Sequence, residues 1–224
     1  MNRFRNMHKG KRAFIVATGP SLNETPLEKL KGEITFGLNR VYLKRELDLT
    51  YMVTIAEAVE RHYGREIVDL PVVACFGGRV LNSYPNKGNV FKFKWSDKVP
   101  FFTGDPTKPM RQGHTVTYAA IQLAYFMGLS EVYLVGLDHY FDYSNFEKVS
   151  KGVASLGKDT NHFDLNYFEK GHDHLRAEPK QTQEYYRHAR VCYENEGRIL
   201  ANASSHTALD EKYLPKISFE SLFN

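Results

Sequence analysis

The sequence is poor in the features that place a chain quickly. Of its 224 residues only two are cysteine and one is tryptophan. Cys75 and Cys192 lie far apart in apolar or helical surroundings, so free thiols in a reducing compartment are expected rather than a structural disulfide. No apolar run approaches the roughly 20 residues of a membrane-spanning helix. The run at residues 13–17, behind a basic N-terminus, is too short for a signal-peptide core. A cytoplasmic protein is the expectation. Strong charge is also missing: 30 Lys and Arg against 26 acids leave +4, too mild to imply nucleic acid and compatible with an anionic small molecule or a membrane surface. The chain has no G-x-G-x-x-G or P-loop pattern, which sets aside dinucleotide dehydrogenases and P-loop NTPases. It has no G-x-S-x-G elbow, which argues against a serine hydrolase at Ser21, and no repeat.

What is present is a globular composition, 42% hydrophobic and 13% aromatic, enough for one α/β domain spanning 1–224 with a substantial core. The organising stretch is 115–140. Val116, Ala119, Ala120, Leu123 and Met127 recur at helical spacing and Gly128 suits a helix stop. Residues 132–137 are nearly all apolar, as in a parallel strand covered on both faces. Open α/β sheets bind ligands beyond the carboxyl ends of their strands, which directs attention to Asp138, His139, Tyr140 and Tyr143.

In chain order, 13–18 is a strand followed by the turn Gly19-Pro20-Ser21-Leu22-Asn23 and a short helix that Pro26 can begin. Gly19 allows close backbone approach, and amides at a helix N-terminus favour an anion; a plain turn is the alternative. Residues 33–38 and 50–55 are strands, with Asn39 at the end of the first placed to read a base or ribose. A helix over 57–64, strands at 72–76 and 90–94 (the last an edge), and a long loop over 96–114 follow. Residues 141–181 lack clear periodicity and read as a lid over the strand ends. A helix over 181–196 and a strand over 198–201 precede a tail whose Phe219, Leu222 and Phe223 pack back onto the body. The basic arm (Arg3, Arg5, Lys9, Lys11, Arg12) reads as a solvated tail, or as a peripheral contact with the inner face of an anionic membrane. A homo-oligomer is compatible with the composition.

His162, between Asn161 and Phe163 in the polar lid, is the candidate general base, against the alternative of a loop histidine without a role. His172, Asp173 and His174, with His162 and Asp164, invite a metal, but no spacing sets a coordination geometry, and no Asp-x-Asp pair exists to hold a divalent ion. No metal and no cofactor are therefore assigned. Phosphate charge would be met by hydroxyls, amides and cations, among them the hydroxyls of Tyr140 and Tyr143.

Gly19-Pro20-Ser21-Leu22 after a strand, Asn39 after the second strand, Gly128-x-x-Glu131 through Asp138-x-Tyr140, and Asn161-His162-Phe163 together resemble the sialyltransferase-like superfamily. That group joins bacterial family 42 sialyltransferases to the domain-of-unknown-function 115 proteins, with the MptE-type hydroxymethylpterin pyrophosphokinases as another branch. The resemblance runs from about Ala13 to Asn202. It implies a modified Rossmann-like α/β transferase domain, of mostly parallel sheet with helices on both faces and a lid, that binds a CMP-activated acidic sugar without a metal. It also implies His162 as base, Tyr140 and Tyr143 at the leaving phosphate, and Thr18, Gly19, Pro20, Ser21, Asn39 and Asp138 around the nucleotide. Thr18 stands where the family has Asn, and Arg111 is a displaced counterpart of the family's arginine before the long helix. Glu57, Arg111 and Thr115 complete the substrate-binding set. The acceptor would be a glycan or lipid-linked glycan. The alternatives are magnesium-dependent pyrophosphoryl transfer from ATP, with Glu57, Asp138 and Asp142 as metal ligands, and a non-catalytic nucleotide- or glycan-binding module.

Overall fold

The computed structural model describes residues 1–78 and 88–224. Seven strands form one sheet: β1 (Arg12–Val16), β2 (Ile34–Leu38), β3 (Tyr51–Thr54), β4 (Ala74–Gly77), β5 (Val90–Lys92), β6 (Glu131–Val135) and, last in the chain, β10 (Ile199–Asn202). Their order is β10-β6-β1-β2-β3-β4-β5, and every pairing is parallel. The chain winds outward from β1 to β5, then returns to the other side of β1. The switch point therefore lies between β1 and β6, and the carboxyl ends of the strands there are where open α/β sheets bind their ligands.

The alternation within β1 shows why the sheet is buried on both faces. Ala13 and Ile15 join one core with helices α2 (Val116–Phe126) and α3 (Pro179–Glu194). Phe14 and Val16 join the other, with α1 (Glu57–Asp69) and the C-terminal tail. Two-residue periodicity with both faces apolar is the pattern of a covered parallel sheet. The tail packs as expected: Phe223 stacks on Phe14 at 5.7 Å and Arg12 donates to the Leu222 carbonyl at 2.7 Å. β5 is the edge strand anticipated at residues 90–94, shortened to three residues.

Three expectations change. No α-helix follows β1. Pro20–Glu24 and Leu27–Leu30 are single 3-10 turns, because Gly32 at φ +82° ends the second one before an α-helix could be established. The basic arm is not a solvated tail. The N–H groups of Asn6, His8 and Gly10 donate to the carbonyls of Phe126, Met127 and Gly128, satisfying the C-terminal end of α2, while Phe4 is buried against Tyr51, Phe76 and Phe91. Positive side chains at a helix C-terminus also complement its dipole, although Arg5 is ion-paired to Asp105. Finally, the segment 141–181 holds an antiparallel sheet of β7 (Phe146–Val149), β8 (Gly152–Ser155) and β9 (Asp173–His174). This segment is a strap pinned to the body. Among the described residues no helix is long and apolar enough to cross a membrane.

Candidate functional site

The turn after β1 and the end of β6 meet at the switch point. Gly19 N–H donates to the Gly136 carbonyl at 2.8 Å. The Ser21 N–H donates to Asp138 Oδ2 at 2.8 Å and its hydroxyl to Asp138 Oδ1. Burial lifts the Asp138 carboxyl above its ordinary value, while the two Ser21 bonds and His206 pull the other way. Two candidate nucleotide contacts, Ser21 and Asp138, are thus joined to each other, and Asp138 organises the turn. Pro20 is the exposed tip of this turn, and Gly19 packs where a Cβ would run into the Asp138 carboxyl group.

Asn39 lies one strand over, in the left-handed region at φ +49°, which asparagine tolerates better than most residues. Its Oδ1 accepts from the Thr54 hydroxyl at 3.1 Å, and its Nδ2 hydrogens have no protein partner among the described residues. They are donors in reserve at the strand end.

The strap closes over this floor. Phe163 N–H donates to the Thr18 carbonyl at 2.9 Å, and Asn23 Nδ2 donates to the Phe163 carbonyl at 2.9 Å. His162 is thereby held beside the Gly-Pro-Ser turn. Its Nδ1 lies 2.8 Å from Asp159 Oδ2, its ring stacks on Tyr167 at 3.8 Å and 3°, and Phe168 meets it edge-on. Asp159 is fully buried, whereas the His162 side chain keeps 17% exposure, and Nε2 has no protein partner among the described residues. A buried carboxylate on one ring nitrogen and an open second nitrogen can take a proton from a hydroxyl.

Sequence reasoning missed Asp159 and the platform beneath the ring. Arg40 N–H donates to the Tyr167 hydroxyl at 3.0 Å, and the Arg40 guanidinium binds the Tyr167 carbonyl and lies 3.6 Å from the centre of the Tyr63 ring. Arg40 is 7% exposed, and its position directly after Asn39 was the available signal. Asp159 stands three residues before His162, a spacing that is a weak signal outside a helix.

Other candidates disperse. His139 at φ +54° donates from Nε2 to the Pro179 carbonyl at 3.2 Å and turns the chain so that Tyr140 emerges 68% exposed. The Tyr143 hydroxyl accepts from Ala177 N–H at 2.8 Å, Arg176 lies over its ring, and burial raises its pKa, so it stays protonated and can still donate. The two tyrosines therefore share no partner. Arg111 donates to the carbonyls of Val99 and Asp97 at 2.9 and 2.6 Å, which orders the 96–114 loop and leaves less of the guanidinium for a ligand. Thr115 is the N-cap of α2, accepting from Thr117 N–H. Glu57 is exposed in the first turn of α1, where a carboxylate suits the helix dipole.

Among the described residues no three His, Cys, Asp or Glu side chains gather as a metal site. In particular, Glu57, Asp138 and Asp142 are not assembled: Asp138 is on Ser21, and Asp142 caps the Ser144 N–H and hydroxyl.

Burial lowers the pKa of His8, His62, His139 and His174. Each is thus more easily protonated unfolded than folded, so its contribution to stability is present above the unfolded value of about 6.5 and is lost as pH falls below it. Thermal unfolding between pH 7.5 and 5 should show Tm declining with acid. A flat or rising Tm would contradict this.

No family model matches the sequence, and no curated protein matches it. Solved structures of the sialyltransferase CstII from Campylobacter jejuni share its fold. The complex with the substrate analogue cytidine-5'-monophosphate aligns with a TM-score of 0.54 at 14% identity, over 92% of this chain and 84% of that one. The complex with CMP-3FNeuAc aligns with a TM-score of 0.51 at 14% identity, over 91% and 85%. At that identity the likeness shows the fold alone, a mostly parallel Rossmann-like sheet with helices on both faces.

Proposed function

We propose that this chain is an inverting glycosyltransferase that moves an acidic sugar, a sialic acid or related ulosonic acid, from a CMP-activated donor to a glycan or lipid-linked glycan, without a metal. The observation that carries this reading is the pair His162 and Asp159, pinned beside the Gly-Pro-Ser turn at the switch point of a fold shared with a CMP-bound sialyltransferase. His162 Nε2 takes the proton of the acceptor hydroxyl. The freed oxygen attacks the anomeric carbon from the face opposite the nucleotide, and the bond from that carbon to the phosphate oxygen breaks with its electron pair leaving on CMP. Thr18, Gly19, Pro20 and Ser21, held in shape by Asp138, and the free Asn39 amide receive the nucleotide. The hydroxyls of Tyr143 and Tyr140 donate to the departing phosphate. Glu57, Arg111 and Thr115 border the sugar.

Ligand-dependent thermal stability separates this reading from its rivals. At 100 times its dissociation constant a ligand adds about 2.7 kcal/mol, or roughly 5–10 °C for a domain of this size. A rise with CMP that persists in chelator is the expected result. A rise only with ATP and magnesium would replace the reading with pyrophosphoryl transfer, and no rise with either would favour a non-catalytic module.

A further inference from the structure

Asp159 is a carboxylate with no exposure, and a buried charge needs partners. It has two that face different oxygens. Oδ1 accepts the Asn161 N–H at 2.9 Å, and Oδ2 faces His162 Nδ1 at 2.8 Å. The loop around it is closed by reciprocal bonds. Asn161 Oδ1 accepts the Asp142 N–H at 2.6 Å, Asn161 Nδ2 donates to the Asp142 carbonyl at 2.7 Å, and Asp159 N–H donates to the Leu165 carbonyl at 2.8 Å. The carboxylate therefore has no freedom to turn away from the imidazole. The ring plane is held separately, by the Tyr167 stack that Arg40 clamps from below.

We infer that Asp159 is a positioning residue: it fixes His162 as the Nδ1–H tautomer, so that the lone pair stands on Nε2, the only ring nitrogen open to an acceptor hydroxyl. An ionised carboxylate can only accept, so the nitrogen facing it must carry the proton. This rests on His162 being the base proposed above.

The isosteric change Asp159→Asn isolates the effect. The new side chain has one acceptor and one donor end. Its oxygen must face the Asn161 N–H, because a backbone amide cannot give up its proton, and so its NH2 group faces His162 Nδ1. An imidazole can move its proton, and it answers by becoming the Nε2–H tautomer. The ring keeps its place and loses its basic nitrogen.

The test combines turnover of CMP-sialic acid with long-range proton–nitrogen NMR on histidine-labelled protein. Asp159→Asn should lower kcat by roughly 100-fold to 10,000-fold, as loss of a general base in the right tautomer does elsewhere. The KM should stay within about threefold, because only a transition-state interaction is removed. The His162 signal should change from the Nδ1–H to the Nε2–H pattern. Turnover within about threefold of the parent, or an unchanged tautomer in the variant, overturns the inference. The parent spectrum needs neither activity nor a folded variant: an Nε2–H signal for His162 there also overturns it. Turnover lost in His162→Ala but kept in Asp159→Asn removes only the positioning role, whereas turnover kept in His162→Ala removes the base itself.

Discussion

His162→Ala should lower CMP-sugar turnover by at least about 100-fold and leave CMP affinity nearly unchanged. The reason is the division of labour in the site. In the proposed reaction the nucleotide goes to the Gly-Pro-Ser turn and Asn39, which follow the ends of β1 and β2, and the proton to a side chain on the strap. Removing the imidazole deletes the base but leaves the two bonds that pin the strap here, Phe163 N–H to Thr18 and Asn23 Nδ2 to Phe163, because both use the Phe163 backbone. Calorimetry with CMP together with steady-state turnover reads the two effects separately. Equal losses in both would make His162 a binding or structural residue, and no loss in turnover would remove it from the chemistry.

Gly19→Ala should destabilise the fold by about 2–3 kcal/mol, the usual cost of forcing atoms into a filled space, and abolish CMP binding. The backbone dihedral is not the reason, since Gly19 has an ordinary φ of −68°. Space is the reason: a Cβ there would lie 2.6 Å from Asp138 Cγ, 2.7 Å from Asp138 Oδ1 and 2.7 Å from the Gly136 carbonyl oxygen. That carbonyl cannot retreat without losing the Gly19 N–H, and Asp138 cannot retreat without releasing Ser21. The substitution therefore separates the turn from the end of β6. In a chain of this size the change should appear as a Tm lower by roughly 5–10 °C. A variant with unchanged Tm and intact CMP binding would show that the turn and the β6 end are independent.

The sheet was readable because its central strands are apolar on both faces. Residues 13–18 and 132–137 stood out, and the structure moves their ends by one or two residues, for a physical reason: Gly136 adopts φ +71° and ends β6 before the apolar run does. The strap strands were not readable. Phe146–Val149 and Gly152–Ser155 are four residues each and Asp173–His174 is two, too short to show alternation against the polar residues between them. Functional candidates divided along the same line. His162 could be singled out by type and neighbours, but its carboxylate partner depends on a loop closure that no periodicity encodes. Arg111 and Arg40 are the plainest case. Both are arginines in loops near the strand ends, yet one orders the carbonyls of Asp97 and Val99 and the other lies between Tyr63 and Tyr167. Only tertiary structure distinguishes them. The docking of the basic arm is not legible from its side chains, because its backbone N–H groups do the capping of α2.

The most direct measurement is the release of CMP from CMP-sialic acid by protein treated with chelator, with NMR identification of the anomer first formed. Sustained CMP release with inverted configuration at the anomeric carbon is the expected result. No release under any metal condition, or release that requires added magnesium, would contradict a metal-independent transferase built on His162.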